Sequence, residues 1–471
     1  MCTAGRRPWP WPYAATRPGS TGPTTRFACL TAPGLSPVAG SARCLRRCRR
    51  SSNHGASARL ATSAHILKHQ TDYVELGNHE VVTAPPPDSE SSRAMSRTSG
   101  FRPFRRKPSA LTEVRDLQSQ PKPVVFFAED ASDWLHIGAL ADHLETLGCS
   151  ILRLTADPND SVITAKNGTY IGGTVAATQL FLRLPPCVVV MTMTDLDTYH
   201  LKRSVNDVHY VYVFHSLLST HRAYRANAFD SYDSILCANS YHVAELEKAA
   251  TIRDIRPQAL YETGYCRLDK LISESPALLT NSGSSPRVLV APTWGPSSLI
   301  EFGIDQIITN LLNSSIQVTL RFHPMSVRHQ KDIFQTYTAM FGDNPLFAVD
   351  SSYASSAALV ESDLVLSDWS GVAHEFALGL LRPAIFVDTP QKAHNDSHPE
   401  LDIECYEDVL RADLGALIGV HEVNSLPAVV TSLIDERVEW RQRLELLRDQ
   451  VLFNPGNAVQ TAAEQILDLM T

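Results

Sequence analysis

The sequence predicts an α/β fold in which two doubly wound halves face each other across a cleft. From residue 123 onward, short apolar runs alternate with segments of helical periodicity, a pattern typical of parallel sheets with crossover helices. The alternation stops at the turn-rich segment NSGSSP, residues 281–286, and then begins a second time. Polar residues cluster directly after several predicted strands, and open α/β sheets bind ligands at the carboxyl ends of their strands.

The first half is predicted from a series of apolar runs. Val124–Phe127 is short and fully apolar, which is typical of a buried parallel strand. A helix is predicted over Trp134–Leu147, where apolar residues recur at helical spacing until Gly148 ends the pattern. Further strands are predicted at Ser150–Leu154, Gln179–Leu182, Val188–Met191, His209–Phe214 and Ser234–Ala238, and a helix with Ser240 as its N-cap over Ser240–Ala250.

The second half repeats this alternation. Strands are predicted at Arg287–Ala291, Gln317–Phe322, Phe347–Val349, Asp363–Leu366 and Ala384–Val387, with helices at Ile304–Leu312, Arg328–Phe341 and Val372–Leu378 and a mostly helical end over Leu426–Met470. We therefore predict one Rossmann-like domain over residues 121–280 and a second over residues 286–471.

Residues 1–120 differ sharply in composition from the rest of the chain. They hold 18 Lys/Arg, 7 Asp/Glu and 12 of the 29 prolines, without sustained apolar periodicity. Such a segment buries too little surface to offset the entropy of ordering, so we predict a disordered basic extension. The remaining residues hold 24 Lys/Arg against 43 Asp/Glu, and this acidic balance argues against nucleic acid as a partner.

Several classes of protein are excluded by missing signals. There is no apolar run of about 18 residues, so no spanning helix is expected. The nine cysteines lack zinc-binding spacing, and no secretory signal is seen, so the expected compartment is the cytoplasm. The P-loop pattern is absent. Asp195 and Asp197 form a lone D-x-D, for which helix capping is favoured over metal binding. No metal and no cofactor are predicted.

The motif SDWSGVAHE, residues 367–375, carries the first functional prediction. It follows the apolar run Leu364–Leu366 and predicts a strand that turns sharply into a helix. Unpaired N–H groups and a partial positive charge at a helix N-terminus attract phosphate, and a small residue such as Gly371 lets it approach. The sequence therefore predicts a phosphorylated ligand at this turn.

Three more polar clusters follow predicted strands, and together they fit nucleotide-diphosphate chemistry. An attacking hydroxyl needs a base such as histidine. Cations, hydroxyls and N–H groups must meet the charge that builds on the leaving phosphates. Glu375 is suited to ribose hydroxyls, while Asp368 is open between helix capping, orienting a histidine and direct ligand contact. The clusters comprise Phe214–Ser216 with His221, then Thr293 and Trp294, then Arg321 and His323, beside Ser367, Ser370 and Gly371 of the motif.

Five segments in order resemble the CDP-glycerol glycerophosphotransferases that build teichoic-acid-type polymers. They are VFHSLLSTHRAY, GYCRLDKL at Gly264–Leu271, VLVAPTWG, LRFHP and LVLSDWSGVAHEFAL, within about residues 205–390. The resemblance implies a GT-B fold with an N-terminal acceptor domain and a C-terminal nucleotide-donor domain. It implies that a hydroxyl of a glycan or polyol-phosphate acceptor attacks the β-phosphorus of CDP-glycerol, or of a related CDP-polyol, and that CMP leaves.

The resemblance also implies roles for the residues of these segments. His215 would be the general base, with His221 as its competitor, and His323 with Arg321 would stabilise the donor diphosphate. The cytidine nucleotide would be held by Thr293, Ser367, Asp368, Ser370 and Glu375, while Arg267 and Asp269 would lie near the cleft. The family usually has Trp-His-Gly where this chain has Phe214–Ser216, and Ser-Ser where it has Ser370 and Gly371; His374 stands at a commonly apolar position.

Two alternative functions stay open from the sequence. One is a GT-B sugar-nucleotide enzyme, a UDP-sugar glycosyltransferase or 2-epimerase, which would use the same serine- and glycine-rich turn for UDP. The other is a non-catalytic nucleotide-binding scaffold. Because teichoic-type acceptors are lipid-linked, the resemblance further suggests peripheral attachment to the cytoplasmic face of a membrane, during cell wall or capsule biogenesis. The oligomeric state is not predicted.

Overall fold

The computed structural model describes residues 110–165, 167–275, 285–352 and 355–470. Two parallel β-sheets form its frame. The first has the strands β1 (Pro123–Ala128), β2 (Ser150–Thr155), β3 (Gly168–Tyr170), β4 (Val188–Met191), β5 (His209–Val213), β6 (Ser234–Cys237) and β7 (Ala259–Glu262). The second has β8 (Arg287–Val290), β9 (Gln317–Arg321), β10 (Phe347–Asp350), β11 (Leu364–Ser367), β12 (Ala384–Asp388) and β13 (Gly415–Gly419).

Helices cover and connect these strands. They are α1 (Ala110–Gln118), α2 (Trp134–Thr146), α3 (Thr174–Phe181), α4 (Thr220–Ala223), α5 (Ser240–Arg253), α6 (Cys266–Glu274), α7 (Ile304–Asn313), α8 (Pro324–His329), α9 (Ile333–Phe341), α10 (Ala357–Glu361), α11 (Gly371–Leu380), α12 (Tyr406–Leu414), α13 (Leu426–Asp435), α14 (Arg437–Val451) and α15 (Ala458–Asp468). Strands such as Val124–Phe127 and Leu364–Leu366 are fully buried apolar runs, because helices shield both faces of a parallel sheet from water.

Both sheets have the same order of strands, which decides where a ligand can bind. The order is β3-β2-β1-β4-β5-β6-β7 in the first sheet and β10-β9-β8-β11-β12-β13 in the second. In each sheet the direction of winding reverses between two neighbouring strands, β1 and β4 or β8 and β11. Open α/β sheets bind ligands in the crevice beyond such a reversal. The predicted fold of two Rossmann-like sheets is confirmed, and each supplies one ligand-binding edge.

The C-terminal helix returns to the first sheet. Ala462, Ala463 and Ile466 of α15 join the buried cluster that contains Ile137 and Leu140 of α2. Gly264, with φ +97°, lets the chain pass closely, since a Cβ there would lie 2.3 Å from the carbonyl oxygen of Phe453. The domain limits 121–280 and 286–471 stay a prediction; the end of the chain contributes to the core of the first half.

Four local predictions need correction. Residues 110–118 form α1 instead of extending the disordered segment, because Val114 and Leu117 bury their side chains in the core; residues 1–109 lie outside the described ranges. The predicted strand 179–182 belongs to α3 and the linker after it. The predicted helix 328–341 is divided into α8 and α9. The N-cap of α5 is Asn239, whose side chain accepts a hydrogen bond from the His242 N–H. Within the described ranges, no helix is long and apolar enough to cross a membrane.

Candidate active site

A cleft of about 360 Å³ lies between the carboxyl edges of the two sheets. Its walls are the segments after β1 and β5 on one side and those after β8, β9, β11 and β12 on the other. Nine of the residues predicted from sequence line it: His215, Arg267, Thr293, Trp294, Arg321, His323, Ser370, Gly371 and Glu375. Strand ends far apart in the sequence are thus brought together as the parallel topology requires.

The His215 ring is fixed by contacts at Nδ1, and its other nitrogen, Nε2, has no hydrogen-bond partner among the described residues. Its Nδ1 lies 3.1 Å from the carbonyl oxygen of Thr192 and 3.2 Å from the hydroxyl of Tyr212. A carbonyl only accepts hydrogen bonds, so Nδ1 carries the proton and the neutral ring keeps a lone pair on Nε2. Burial lowers the pKa of His215, against the hydrogen bond to Thr192. The ring is therefore unprotonated at neutral pH and suited to accept a proton.

His323 is fixed in the opposite tautomer. As the N-cap of α8 it accepts a hydrogen bond on Nδ1 from the Met325 N–H at 3.1 Å. Burial, together with Lys392 and nearby histidines, lowers its pKa to about 3, so the ring is neutral. A neutral ring that accepts on Nδ1 must carry its proton on Nε2. His323 therefore offers the cleft a hydrogen-bond donor without a net charge, whereas His215 offers an acceptor.

The N-terminus of α11 opens into the cleft between the two halves. Ser370 is the N-cap, yet its side chain makes no capping hydrogen bond, and the helix begins at Gly371. Gly371 contacts the first half closely, because a Cβ there would lie 2.3 Å from Ser216 Oγ. The free N–H groups and partial positive charge of the first turn are available to an anionic ligand.

Ser367 and Asp368 lie behind the cleft and do not line it. Ser367 donates its hydroxyl hydrogen to the Ala291 carbonyl at 2.6 Å. Asp368 accepts hydrogen bonds from the N–H groups of Thr293 and Leu299, both at 2.8 Å. The fully buried Asp368 is thus neither a helix cap nor the partner of a histidine. Both residues fix the loop after β8, which carries Thr293 and Trp294 into the cleft.

Glu375 has polar partners within the protein. Its Oε2 forms an ion pair with Arg267 Nε at 2.7 Å, and its Oε1 accepts a hydrogen bond from the Tyr265 hydroxyl at 2.6 Å. This network joins α6 of the first half to α11 of the second. Asp269 lies outside the cleft, where it accepts a hydrogen bond from the Val459 N–H at the start of α15.

His221 is also placed outside the cleft. Its Nδ1 lies 3.3 Å from Glu245 Oε1, and its Nε2 lies 3.3 Å from Cys405 Sγ. Burial lowers the pKa of His221, but Cys405 and Glu245 outweigh this effect and raise it to about 10. A protonated imidazole ring has no lone pair for a substrate. Among the two histidines after β5, only His215 faces the cleft.

A lysine and two histidines that were missed from the sequence surround Trp294 in the second half. Lys392 Nζ donates a hydrogen bond to Thr293 Oγ1 at 2.6 Å and lies 4.7 Å from the centre of the Trp294 ring. Trp294 stacks with His394 at 5.1 Å and with His329 at 6.0 Å between ring centroids. Burial lowers the pKa of Lys392 to about 8. Lys392 and His394 follow β12, so the strand-end signal used for the other clusters would also have found them.

The first half contributes an acidic wall. Asp130 and Asp133 follow β1 and line the cleft. Burial, reinforced by Asp130, raises the pKa of Asp133 to about 6. Arg328 of α8 reaches across to Asp130 at 2.6 Å, so an ion pair joins the two walls of the cleft.

In the described ranges, Asp195 and Asp197 of the D-x-D motif neither cap a helix nor belong to a group of metal-ligating residues. Asp195 and Asp197 have φ angles of 64° and 66° and lie in a turn, not at a helix N-terminus, so the capping interpretation is wrong. In the described ranges, no group of three or more His, Cys, Asp or Glu residues could hold a metal ion.

Residues 196–410 match the model of a protein family described as CDP-Glycerol:Poly(glycerophosphate) glycerophosphotransferase. The match contains every residue that lines the cleft from the segment after β5 onward. A search among curated proteins finds no match.

Solved structures align with this chain at low sequence identity. A structure of the wall teichoic acid polymerase TagF with CDPG aligns with a TM-score of 0.50 and 15% identity, over 76% of this chain and 93% of that chain. A putative UDP-N-acetylglucosamine 2-epimerase from Listeria monocytogenes aligns with a TM-score of 0.46 and 13% identity, over 73% and 94%. MnaA from S. aureus, with UDP, aligns with a TM-score of 0.48 and 10% identity, over 74% and 96%. The predicted GT-B fold is confirmed.

Proposed function

We propose that this chain, which belongs through residues 196–410 to the CDP-glycerol:poly(glycerophosphate) glycerophosphotransferase family, transfers glycerol phosphate or a related polyol phosphate from a CDP-linked donor. The acceptor is a hydroxyl of a glycan or polyol phosphate, and CMP is released. One observation carries the mechanism: His215 and His323 line the same cleft in complementary tautomers, one as acceptor and one as donor.

The acceptor hydroxyl is activated by His215. As the hydroxyl oxygen forms its bond to the β-phosphorus, the bond from that phosphorus to the oxygen of CMP breaks. The hydroxyl proton moves to His215 Nε2, which holds a lone pair because Nδ1 donates to Thr192. His215 also lies in the half opposite the donor-binding edge, so the base approaches the phosphorus from the acceptor side.

The donor phosphates are met by groups of the second half. His323 Nε2–H, the first turn of α11 and Lys392 stabilise the charge that builds on the leaving CMP. Lys392 is better placed than Arg321 for this task, because the Arg321 guanidinium is already paired with Asp350 and hydrogen-bonded to the Ser355 carbonyl. Thr293 and Trp294 then contact the cytidine, on a loop that Asp368 fixes from behind.

Turnover of defined donors tests the proposal. The chain is incubated with CDP-glycerol and a soluble glycerol phosphate oligomer, and CMP is measured against UDP release from UDP-N-acetylglucosamine. We expect CMP release that depends on the oligomer and no UDP release. Release of UDP, or epimerisation of the sugar, would instead support the sugar-nucleotide alternative. Tight CDP binding without any CMP would support the scaffold alternative.

Peripheral membrane association is a second part of the proposal. Residues 1–109 hold 17 Lys/Arg and 5 Asp/Glu, and such a polybasic segment is attracted to anionic lipid. Binding to vesicles of phosphatidylglycerol and phosphatidylcholine is compared for the full chain and for a variant that begins at Ala110. We expect salt-sensitive binding that the truncation removes. Equal binding of both proteins would show that the basic segment is not the anchor.

A further inference from the structure

A further histidine of the first half lines the cleft beside His215. His136 lies in α2 of the first half, only 8% exposed, and lines the cleft. Its ring centroid is 6.1 Å from that of His215, with the planes at 75°. It precedes the family match, and no motif in the sequence singled it out.

The hydrogen bonds around His136 fix its tautomer. Its Nδ1 lies 3.1 Å from the Tyr265 hydroxyl. The single hydrogen of that hydroxyl is donated to Glu375 Oε1 at 2.6 Å, because the other carboxylate oxygen of Glu375 contacts Arg267 Nε at 2.7 Å and a carboxylate only accepts hydrogen bonds. The Tyr265 oxygen can then only accept, so His136 Nδ1 is the donor and Nε2 keeps a lone pair.

Both buried rings line the same cleft, and in each of them Nε2 is the acceptor nitrogen. Burial, with Arg267 and His215 nearby, lowers the pKa of His136 well below its usual value, so the ring is neutral. Among the described residues, neither His136 Nε2 nor His215 Nε2 has a hydrogen-bond partner. Two lone pairs cannot bond to each other, and leaving them unpaired in a desolvated complex costs free energy. A ligand must supply two donors.

We propose that His136 is an acceptor-binding residue that recognises a second hydroxyl, so that the acceptor is a polyol end with hydroxyl groups on neighbouring carbons. One hydroxyl donates to His215 Nε2 and attacks the donor, while its neighbour donates to His136 Nε2. The inference rests on the proposed transfer reaction and defines the class of its acceptor. It also gives the network of Tyr265 and Glu375 a function, since that network keeps the lone pair of His136 on Nε2.

Two acceptors that differ by one hydroxyl test this without any mutation. One is a glycerol phosphate oligomer that ends in glycerol, and the other is the same oligomer ending in propane-1,3-diol phosphate. CMP release from CDP-glycerol gives kcat and KM for each. One neutral hydrogen bond is worth about 1 kcal/mol, so we expect kcat/KM to be about fivefold to tenfold higher for the glycerol end. Equal values in the wild-type protein would overturn the inference while leaving the transfer reaction established.

Variants then assign the preference to His136. H136F keeps a planar ring without an acceptor, and H136Q places an amide oxygen near the position of Nε2. H143Q, on the same helix but outside the cleft, is the matched control. We expect H136F to lose the preference by a raised KM for the glycerol end, H136Q to keep part of it, and all three to bind CDP as the wild type does. An H136F protein with normal CDP affinity and an unchanged preference would refute the assignment. Absence of CMP from the wild type would instead refute the proposed function.

Discussion

Enlarging residue 371 should separate the two walls of the cleft by a measurable amount. In alanine at this position, Cβ would lie 2.3 Å from Ser216 Oγ, about 1 Å short of ordinary contact, while Ser216 Cβ and Leu218 Cγ lie at 3.5 Å. The overlap thus involves one hydroxyl, and we place its cost near the lower end of overpacking effects, at about 1 kcal/mol. Valine would also press on Leu218 and should cost about 2–3 kcal/mol.

These free-energy costs should lower the affinity for nucleotide more than the free energy of unfolding, because residue 371 and Ser216 belong to opposite walls of the cleft. We expect CDP to bind G371A about fivefold more weakly and G371V about 30-fold to 150-fold more weakly than the wild type. Calorimetric titration with CDP measures both values. G138A in α2, where the new Cβ would be 3.7 Å from the Trp134 Cβ, is the control and should bind normally.

A double-mutant cycle isolates the contact. S216G removes the hydroxyl that a side chain at 371 would meet, so S216G/G371A should recover the affinity of S216G alone, and S216G/G371V should recover only part of it. If G371A binds CDP normally, or if S216G fails to rescue it, then the two walls do not meet at this point in the ligand-bound protein. Close contact between the N-terminus of α11 and the first half would then be refuted.

Three further predictions follow from the site. H323N keeps an oxygen that can cap the α8 amide but lacks the Nε2–H donor, so kcat should fall about 100-fold with little change in CDP affinity; unchanged kcat would contradict the donor role. Lys392 has a pKa of about 8 and is charged below that pH, so CDP affinity should fall as pH rises above 8. K392Q should abolish this pH dependence, whereas K331Q, a variant of an exposed lysine, should keep it. Calorimetric titrations with CDP from pH 6.5 to 9.5 measure the affinity of each variant. H221A removes the charged partner of the buried Glu245, which then keeps, among the described residues, only its hydrogen bonds from Thr220. It should therefore lower the free energy of unfolding by about 3 kcal/mol without lowering the rate per folded molecule. A lost rate in folded H221A protein would restore His221 as a base.

The fold could be predicted from sequence because buried parallel strands leave a clear pattern. Runs such as Val124–Phe127 and Leu364–Leu366 are apolar on both faces, and polar clusters follow them. The pattern fails where an apolar run belongs to a helix, as at residues 179–182 in and after α3. It also fails for α1. Of the described side chains of this helix, only Val114 and Leu117 are buried in the core, and two residues are too few to show a helical periodicity in the sequence.

The site was predicted only in part. The sequence shows which residues follow a strand, but it does not show in which direction their side chains point. Ser367 and Asp368 leave β11 toward the protein interior, and His221 turns toward Glu245 and Cys405. His136 lies in the first turn of α2, where its spacing resembles that of a core residue. Its function depends on hydrogen bonds to Tyr265, 129 residues away, and no local pattern encodes that contact.

Base catalysis by His215 is tested by a single-turnover measurement of CMP release from CDP-glycerol, with the glycerol phosphate oligomer as acceptor. Wild-type protein and H215N are compared after CDP titration has shown that both bind the nucleotide. Base catalysis by His215 predicts rapid release by the wild type and a loss of at least about 100-fold in H215N with unchanged CDP affinity. H215N that releases CMP at the wild-type rate would contradict it, because the base would then lie elsewhere.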